Sequence, residues 1–324
     1  MRVLMAVAMM AATMALPGGA RAQSDERRQC FDGASPEQKL RGCTAVIESG
    51  GATPQNLVAA FINRGNAYQS NRDYGRAIED YDQAIRINPN APVAFNNRGN
   101  VYLSKQDYDR ALEDYDQAIR IDPKYAVAFN NRGLAKQRKG QNDLAAEDYD
   151  QAIRIDPKYA LAFVNRAAIH RIKARFDLAI QDCDQAIALN PNLAAAFYGR
   201  ALAYQERAQW DFDAYLNEGR YEDLAIKDFD EAIRLDADNA PAFRNRGSLY
   251  TKMRQYDRAI ADFDEAIRLD PNSAFALNGR AYALRFVGKY DRAIADYRKA
   301  LTLKVDDATK HQIERALTQL HARP

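Results

Sequence analysis

Apolar and small residues recur along this chain at a spacing of 34 residues that is interrupted once. Counted with Pro92 as position 1, position 4 of each copy is large and apolar, namely Phe61, Phe95, Phe129, Phe163, Phe197, Phe243 and Leu277. Positions 20 and 27 are alanine in all seven copies. Such a long period is typical of a repeat protein, in which each unit buries its apolar face against its neighbours.

Within each copy the pattern predicts two helices. Positions 4, 8 and 11, which are Phe95, Gly99 and Tyr102 in the second copy, form one apolar stripe at helical spacing. Positions 20, 21, 24, 27 and 28 form another. We expect the aspartate at position 18, such as Asp109, to favour the start of the second helix by capping and through the helix dipole. An Asn-Pro or Asp-Pro pair ends that helix in five copies, because proline disfavours helical geometry in the residue before it.

This combination resembles the tetratricopeptide repeat (TPR) family, over residues 58–307, which are about 250 of the 324 residues. The aromatic residues at positions 4, 11 and 24, the small residues at 8, 20 and 27, and the proline at 32 carry the resemblance. It implies an all-α fold, an α-solenoid in which seven TPR helix hairpins form a right-handed superhelix between N- and C-terminal capping helices. It also implies a concave groove, lined by the first helices, that binds a peptide or protein segment.

Two positions depart from the family pattern in every copy. Position 7 is always arginine and position 23 is always aspartate, as in Arg98 and Asp114. Because the two residues occur together in all seven copies, we expect them to form an ion pair between the two helices of each hairpin. The alternative is a row of arginines that binds a ligand.

Residues 1–22 have the pattern of a bacterial secretory signal peptide. Arg2 precedes an apolar run from Val3 to Leu16, and Ala20-Arg21-Ala22 forms a small-x-small cleavage site before Gln23. The run is too short for a stable membrane span. We therefore expect an exported protein that is periplasmic or secreted, with no integral membrane segment after cleavage.

The charge balance disfavours polyanionic partners. The formal net charge is +2, and cleavage would remove two arginines and bring it to about zero. A neutral chain lacks the cationic excess that usually binds nucleic acid or an anionic membrane surface. The expected partner is a protein or peptide, and no nucleic acid is expected.

The segments that flank the repeats are predicted to be caps. Residues 23–57 are expected to form an N-terminal cap with a half-repeat helix that begins at a capping box, Ser35 to Gln38. Residues 308–324 are expected to form a C-terminal capping helix and tail, with Ile313, Leu317 and Leu320 facing inward.

The chain contains three cysteines. In an oxidising compartment, Cys30 and Cys43 are expected to form a disulfide between the leading loop and the capping helix, the alternative being two unrelated thiols. Cys183 occupies position 24, which is aromatic in the other copies, and is expected to be an inert buried thiol.

The fifth copy contains twelve extra residues within 205–221, because Phe197 and Phe243 are 46 residues apart. We expect them to prolong the first helix. This insertion carries Trp210, Phe212 and Tyr215. These aromatic side chains either pack on neighbouring repeats or form a projecting knob for a partner.

The groove is expected to be lined by positions 2, 5, 9 and 12, with position 6 at its edge. The candidate residues are Asn63, Asn66, Val93, Asn96, Asn97, Asn100, Val127, Asn130, Asn131 and Leu161. Asparagine suits a peptide backbone because its amide both donates and accepts hydrogen bonds. A position-6 asparagine could instead bond the adjacent helix. A clamp for a terminal carboxylate is not expected, since Ile62, Val127 and Asn131 stand where cations would be needed.

No motif for catalysis, a cofactor or a metal is present in the sequence. It has no glycine-rich phosphate loop and no nucleophile elbow, and its three histidines are scattered. The sequence therefore predicts a non-enzymatic scaffold with no cofactor and no metal. The alternative is a structural subunit or accessory factor of an envelope assembly, docking through the 205–221 insertion or its ends.

Overall fold

The computed structural model describes residues 18–33, 35–210 and 220–321, and every regular element within these ranges is an α-helix. The first eight helices are α1 (Gly18–Asp32), α2 (Pro36–Glu48), α3 (Pro54–Ser70), α4 (Tyr74–Ile87), α5 (Pro92–Ser104), α6 (Tyr108–Ile121), α7 (Ala126–Arg138) and α8 (Asn142–Ile155). The next nine are α9 (Ala160–Ile172), α10 (Phe176–Leu189), α11 (Ala194–Trp210), α12 (Arg220–Leu235), α13 (Ala240–Lys252), α14 (Tyr256–Leu269), α15 (Ala274–Phe286), α16 (Tyr290–Leu301) and α17 (Asp307–His321). The predicted all-α class is confirmed.

The chain divides into two compact units, Met1–Leu144 and Ala145–Pro324. In the first unit, α3 packs on α4, α4 on α5, α5 on α6 and α6 on α7. In the second unit, the same serial order runs from α9 to α17. Within each unit every hairpin is therefore covered by the hairpins next to it in sequence, which is how an α-solenoid builds a core from units that cannot bury their own faces.

Small residues allow the two helices of a hairpin to approach closely. The position-24 rings of Tyr81 and Tyr115 are completely buried and lie against the glycines at position 8. A Cβ added to Gly65 would lie 2.7 Å from Cε1 of Tyr81, and one added to Gly99 would lie 2.8 Å from Cε1 of Tyr115. The glycines at position 8 therefore leave the space that each tyrosine ring occupies.

The capping aspartate lies two residues earlier than predicted. The carboxylates of Asp73 and Asp107, at position 16, accept hydrogen bonds from the backbone N–H groups of Arg76 and Arg110 at the starts of α4 and α6. Asp109 lies in the first turn of α6, so the prediction that it caps this helix was wrong. Its carboxylate is still placed to interact favourably with the helix dipole.

The N-terminal cap contains two helices, although a single one was predicted. The segment expected to be a leading loop forms α1, which packs on α2, so Cys30 lies in a helix. The capping box at Ser35 and Gln38 is present, as predicted. Residues 1–17 of the predicted signal peptide lie outside the described residues, and Gln23 lies within α1.

The disulfide between Cys30 and Cys43 joins α1 to α2. Both cysteines are completely buried and cluster with Val46 and with Ala60 of α3. A hydrogen bond from Nδ2 of Asn63 to the carbonyl oxygen of Cys30 also ties α3 to this cap. The cap is therefore cross-linked within itself and packed on the first repeat.

Helix α17 closes the other end of the chain. Its start is capped by Asp306, whose carboxylate accepts a hydrogen bond of 2.8 Å from the backbone N–H of Thr309. Ile313 and Leu320 are buried and Leu317 is half-buried against the last repeats, as predicted for an inward-facing stripe. None of the described helices is both long enough and apolar enough to cross a membrane.

In the fifth copy, both helices are longer than those of the second copy. Helix α11 has 17 residues and α12 has 16, compared with 13 and 14 in the second copy. The expected lengthening of the first helix is thus present as far as Trp210. Phe212, Tyr215 and the side chain of Trp210 lie outside the described residues.

Candidate partner-binding surfaces

The position-7 arginines form two-point ion pairs with the position-23 aspartates. Nε and Nη2 of Arg98 donate hydrogen bonds of 2.9 and 2.6 Å to the two carboxylate oxygens of Asp114. The same pairing occurs in Arg64–Asp80, Arg166–Asp182, Arg200–Asp228, Arg246–Asp262 and Arg280–Asp296. The predicted ion pair is confirmed for these copies, and it occupies the arginine nitrogens that a ligand would have needed.

A third nitrogen of the same arginine reaches the preceding hairpin. Nη1 of Arg98 donates a hydrogen bond of 2.5 Å to Asp82, at position 25 of the copy before it. Equivalent bonds join Arg132–Asp116, Arg166–Asp150, Arg200–Asp184, Arg246–Asp230 and Arg280–Asp264. We call each arginine with its two aspartates an arginine clasp. The clasp fixes both the pairing within a hairpin and the stacking of one hairpin on the next.

The sequence did contain a signal for the second half of the clasp. Position 25 is aspartate in the first six copies and becomes Arg298 in the last, where no further copy follows. An aspartate that persists only where the next copy can supply an arginine indicates a contact between copies.

Burial and hydrogen bonding compete at both ends of the clasp. Burial raises the pKa of the Asp114 carboxyl, and the hydrogen bonds from Arg98 oppose that rise. The hydrogen bond to Asp114 raises the pKa of Arg98, so the guanidinium stays charged. Without the arginine, the carboxylate would be left buried and unpaired.

The predicted groove asparagines bond one another across successive first helices. Nδ2 of Asn97 donates to Oδ1 of Asn66 at 2.9 Å, and Nδ2 of Asn131 donates to Oδ1 of Asn96 at 3.0 Å and of Asn100 at 3.1 Å. We call these five residues the asparagine ladder. It links α3, α5 and α7, so the alternative interpretation of position 6, a structural bond to the adjacent helix, holds here.

Several of the predicted lining residues are not accessible. Asn96 and Asn130 are only 2% and 4% exposed, so their side chains belong to the packed interior. Asn63 contacts the cap as described above. The position-2 residues behave differently, because Val93 and Val127 are 42% and 37% exposed. The accessible part of the predicted site in the first unit is thus the position-2 valines beside the outer amides of the ladder.

The second unit also exposes apolar residues at position 2. Leu161 on α9 is 44% exposed and Phe275 on α15 is 54% exposed. Phe275 was not among the predicted site residues, all of which lie in the first four copies. Position 2 therefore carries an accessible apolar side chain in both units.

Few of the described side chains have the chemistry that catalysis or metal binding would need. Within the described ranges, no cluster of three or more His, Cys, Asp or Glu side chains could hold a metal ion. Nε2 of His170 lies 3.6 Å from Oδ2 of Asp182, and burial lowers the pKa of this histidine. Cys183 is completely buried, and burial raises the pKa of its thiol to about 12. This agrees with the prediction of an inert thiol.

We expect Cys183 to be unreactive towards a chromogenic disulfide reagent at mildly alkaline pH while the protein is folded. A thiol is protonated below its pKa, and only the thiolate attacks the reagent. Unfolding in urea should release one thiol equivalent. A Ser104→Cys variant, which places a thiol at an exposed site, is the positive control. Rapid labelling of the folded wild-type chain would show that this part of the second unit opens readily.

Comparison with protein families gives a consistent result over the repeats. A family model described as "Tetratricopeptide repeat" matches residues 58–91, 126–159 and 240–273, and another with that description matches 80–113 and 263–295. A model described as "TPR repeat" matches residues 99–140. No curated protein matches the chain.

Solved structures show the same fold at low sequence identity. A tetratricopeptide repeat protein from Parabacteroides merdae is 20% identical, with a TM-score of 0.57, over 82% of this chain and 99% of that one. Pseudomonas aeruginosa pilF is 19% identical, with a TM-score of 0.60, over 69% and 97%. Human IFIT1, solved as a dimer with PPP-AAAA, is 16% identical, with a TM-score of 0.66, over 88% and 69%. Likeness at this level concerns the fold alone.

Proposed function

Since this chain belongs to the tetratricopeptide repeat family, we propose that it is a non-enzymatic scaffold that binds an extended segment of a protein partner along its first helices, in the bacterial cell envelope. Tetratricopeptide repeat proteins are generally non-enzymatic interaction scaffolds, and the fold of this chain supports that class of function. The proposed binding surface and the proposed compartment rest on particular residues of this chain.

The observation that carries the proposed surface is the exposure of Val93 and Val127 beside the asparagine ladder. Large apolar side chains that remain accessible next to fixed polar groups are typical of peptide-binding surfaces. Successive copies present the same arrangement at the same position, which suits a segment lying across several hairpins. The valines would supply apolar contact and the ladder would supply backbone hydrogen bonds.

Two amides of the ladder are oriented to donate to a peptide. Oδ1 of Asn66 accepts from the hydroxyl of Tyr81 at 2.7 Å as well as from Asn97, and Oδ1 of Asn100 accepts from Tyr115 at 2.7 Å as well as from Asn131. Each oxygen thus has both acceptor sites occupied. The side-chain NH2 groups of Asn66 and Asn100 donate no hydrogen bond to another described residue, and they are available to peptide carbonyl oxygens.

The envelope location is supported by the signal-peptide pattern of residues 1–22 and by the disulfide between Cys30 and Cys43. Structural disulfides persist mainly in oxidising compartments such as the periplasm. Fractionation of the native bacterium with mass spectrometry of the mature chain provides the test. We expect a periplasmic or secreted protein that begins at Gln23, whereas an uncleaved chain in the cytoplasm would contradict the proposed compartment.

The double substitution Val93→Asp and Val127→Asp should reduce recovery of the crosslinked partner by about tenfold or more. A carboxylate at each exposed site would have to be desolvated against the partner's apolar side chains. The measurement is quantitative mass spectrometry after chemical crosslinking in envelope extracts. Leu178→Asp is the matched control, since Leu178 is 44% exposed on a second helix, α10. Equal recovery with the double variant and the control would contradict the proposed surface.

An alternative function is favoured by the lengthened helices of the fifth copy. Because α11 and α12 are longer than α5 and α6 of the second copy, the insertion within 205–221 could dock the chain as a structural subunit or accessory factor of an envelope assembly. Deleting residues 211–219 distinguishes the two functions. The structural role would be favoured if the deletion abolished a large native complex while the partner segment still crosslinked to the surface around Val93 and Val127.

A further inference from the structure

The first helices of the last two copies carry different chemistry from those of the first unit. Helix α13 has Arg244 at position 5, and α15 has Phe275, Tyr282, Arg285 and Phe286. Neither helix contains an aspartate or a glutamate. Arginine and aromatic residues here occupy positions at which α5 and α7 have asparagine and valine.

Arg244 and Phe275 join the two helices through a cation–π contact. The guanidinium carbon of Arg244 lies 5.0 Å from the centroid of the Phe275 ring, which is 54% exposed. Arg244 forms no ion pair with a described residue, and its buried Nε has no hydrogen-bond partner there. This arginine is thus free of the arginine clasp and keeps its full charge available to a ligand.

The aromatic residues continue along α15 on one face. Phe275, Tyr282 and Phe286 are separated by seven and four residues, which places them on one side of the helix over roughly 16 Å. The Tyr282 and Phe286 centroids are 5.0 Å apart, and Phe286 stacks on Tyr256 at 4.7 Å. Tyr282 and Phe286 are nevertheless 37% and 54% exposed. The supporting ring fixes Phe286 while leaving its outer face to solvent.

At its C-terminal end, the aromatic face of α15 borders a cleft between α15 and α17 that is lined by arginines. Tyr282, Arg285 and Arg315 are among the side chains that line it. Nη2 of Arg285 donates a hydrogen bond of 3.0 Å to Gln319, while its buried Nε has no partner and the residue forms no ion pair within the described part of the chain. The nearby carboxylate on α17 is Glu314, whose Oε2 lies 3.5 Å from Nδ1 of His311.

We propose that this arginine–aromatic surface, formed by Arg244, Phe275, Tyr282, Arg285, Phe286 and Arg315, binds an acidic segment of a protein partner that also carries large apolar side chains. Carboxylates of the segment would pair with the arginines, and its apolar side chains would cover the exposed rings. Charge complementarity selects the acidic character, because no acidic side chain on α13 or α15 offsets these cations. Arginine and tyrosine are also among the side chains that most often dominate binding energy at protein interfaces.

A protein segment fits this surface better than a nucleic acid. The chain as a whole carries a formal charge of only +2, with acidic residues nearly as numerous as basic ones. Nucleic-acid binding usually requires a broad cationic surface that neutralises several phosphates at once. Three arginines separated by aromatic rings instead match carboxylates spaced along a peptide.

The test is fluorescence anisotropy of the purified mature chain with a labelled peptide in which Glu alternates with Phe. We expect binding that weakens as salt rises. Arg244→Gln or Arg285→Gln should weaken it about tenfold, and the double variant on the order of 100-fold, since charge-assisted hydrogen bonds are lost. The matched control is Arg86→Gln with Arg120→Gln, which removes two exposed arginines from second helices of the first unit and should leave binding unchanged.

Phe275→Ala should also weaken binding of the alternating peptide, while a peptide with Gln in place of Glu should bind poorly to every variant. The Val93→Asp and Val127→Asp double variant should bind the acidic peptide as the wild type does, so the surface of the first unit is tested separately. Equal affinity of the wild type and the Arg244→Gln and Arg285→Gln double variant would overturn the inference. Tighter binding of a single-stranded oligonucleotide than of the peptide would also overturn it.

Discussion

Replacing Arg98 by methionine is expected to destabilise the surrounding repeats by about 3 kcal/mol, the low end of the range for breaking a buried ion pair. The Asp114 side chain is only 6% exposed and would lose both of its hydrogen bonds from the guanidinium. The Arg98 side chain is 21% exposed, so some solvation moderates the loss. Asp82, which is 42% exposed, can regain water when its bond to Arg98 is removed.

The measurement is urea unfolding of the single variants and of the Arg98→Met and Asp114→Leu double variant. We expect the double variant to be more stable than Arg98→Met alone, because it removes the buried charge together with its partner. Arg110→Met is the matched control, since Arg110 pairs with Asp107 on the surface and its side chain is 57% exposed. That control should cost far less than Arg98→Met, because an exposed ion pair contributes little to stability. A loss in Arg98→Met no larger than in the control would refute a structural role for the clasp.

Reduction of the Cys30–Cys43 disulfide should destabilise the N-terminal cap by roughly 3 kcal/mol. The two cysteines are 13 residues apart, and a cross-link over such a loop restricts the unfolded chain by about that free energy. Because the cap packs on α3, its unfolding should expose the start of the first repeat. Limited proteolysis with and without reductant measures this, and cleavage is expected first within residues 25–50.

A Cys30→Ala and Cys43→Ala variant is the control for this experiment. Its stability should be low under both conditions and unaffected by reductant. If the wild type, shown by mass spectrometry to be reduced, resisted proteolysis as well as the oxidised protein does, the cross-link would have no stabilising role.

The hairpins and the clasp pair could be predicted because each depends on a pattern that repeats in seven copies. Position 7 and position 23 carry opposite charges in every copy, and two helices joined by a short turn bring those positions together. The interior of each hairpin was equally accessible to sequence reasoning, since its alanines and glycines are explained by close helix packing.

The structural features that the sequence did not reveal depend on contacts that extend beyond a single copy. Helix α1 lacks a regular apolar stripe, and it is held by a disulfide and by packing on α2 rather than by a repeated pattern. The burial of Asn96 and Asn130 follows from the ladder between successive first helices. Position 5 was expected to be an open groove position, but the approach of neighbouring hairpins closes it in these copies.

The clasp holds the hairpins together with residues that are not part of the candidate binding surfaces. The position-7 arginines bind aspartates on both sides, so the clasp itself does not use positions 2, 9 and 12, although Asn66 and Asn100 at position 9 also link successive first helices through the asparagine ladder. Positions 2 and 12 can therefore vary between copies and set the chemistry of a bound segment. At positions 2, 9 and 12 the second copy has valine, asparagine and leucine and the third has valine, leucine and glutamine, whereas the seventh has phenylalanine, tyrosine and arginine.

The most direct test of the central claim, that partners bind to the first-helix surface, is site-specific photocrosslinking in the cells that naturally produce the protein. A photoreactive amino acid is placed at Val93 or Phe275 on first helices, and at Glu79 or Glu113 on exposed sites of second helices. We predict protein adducts from the first-helix sites and none above background from the second-helix sites. Adducts formed only from Glu79 or Glu113 would contradict the account.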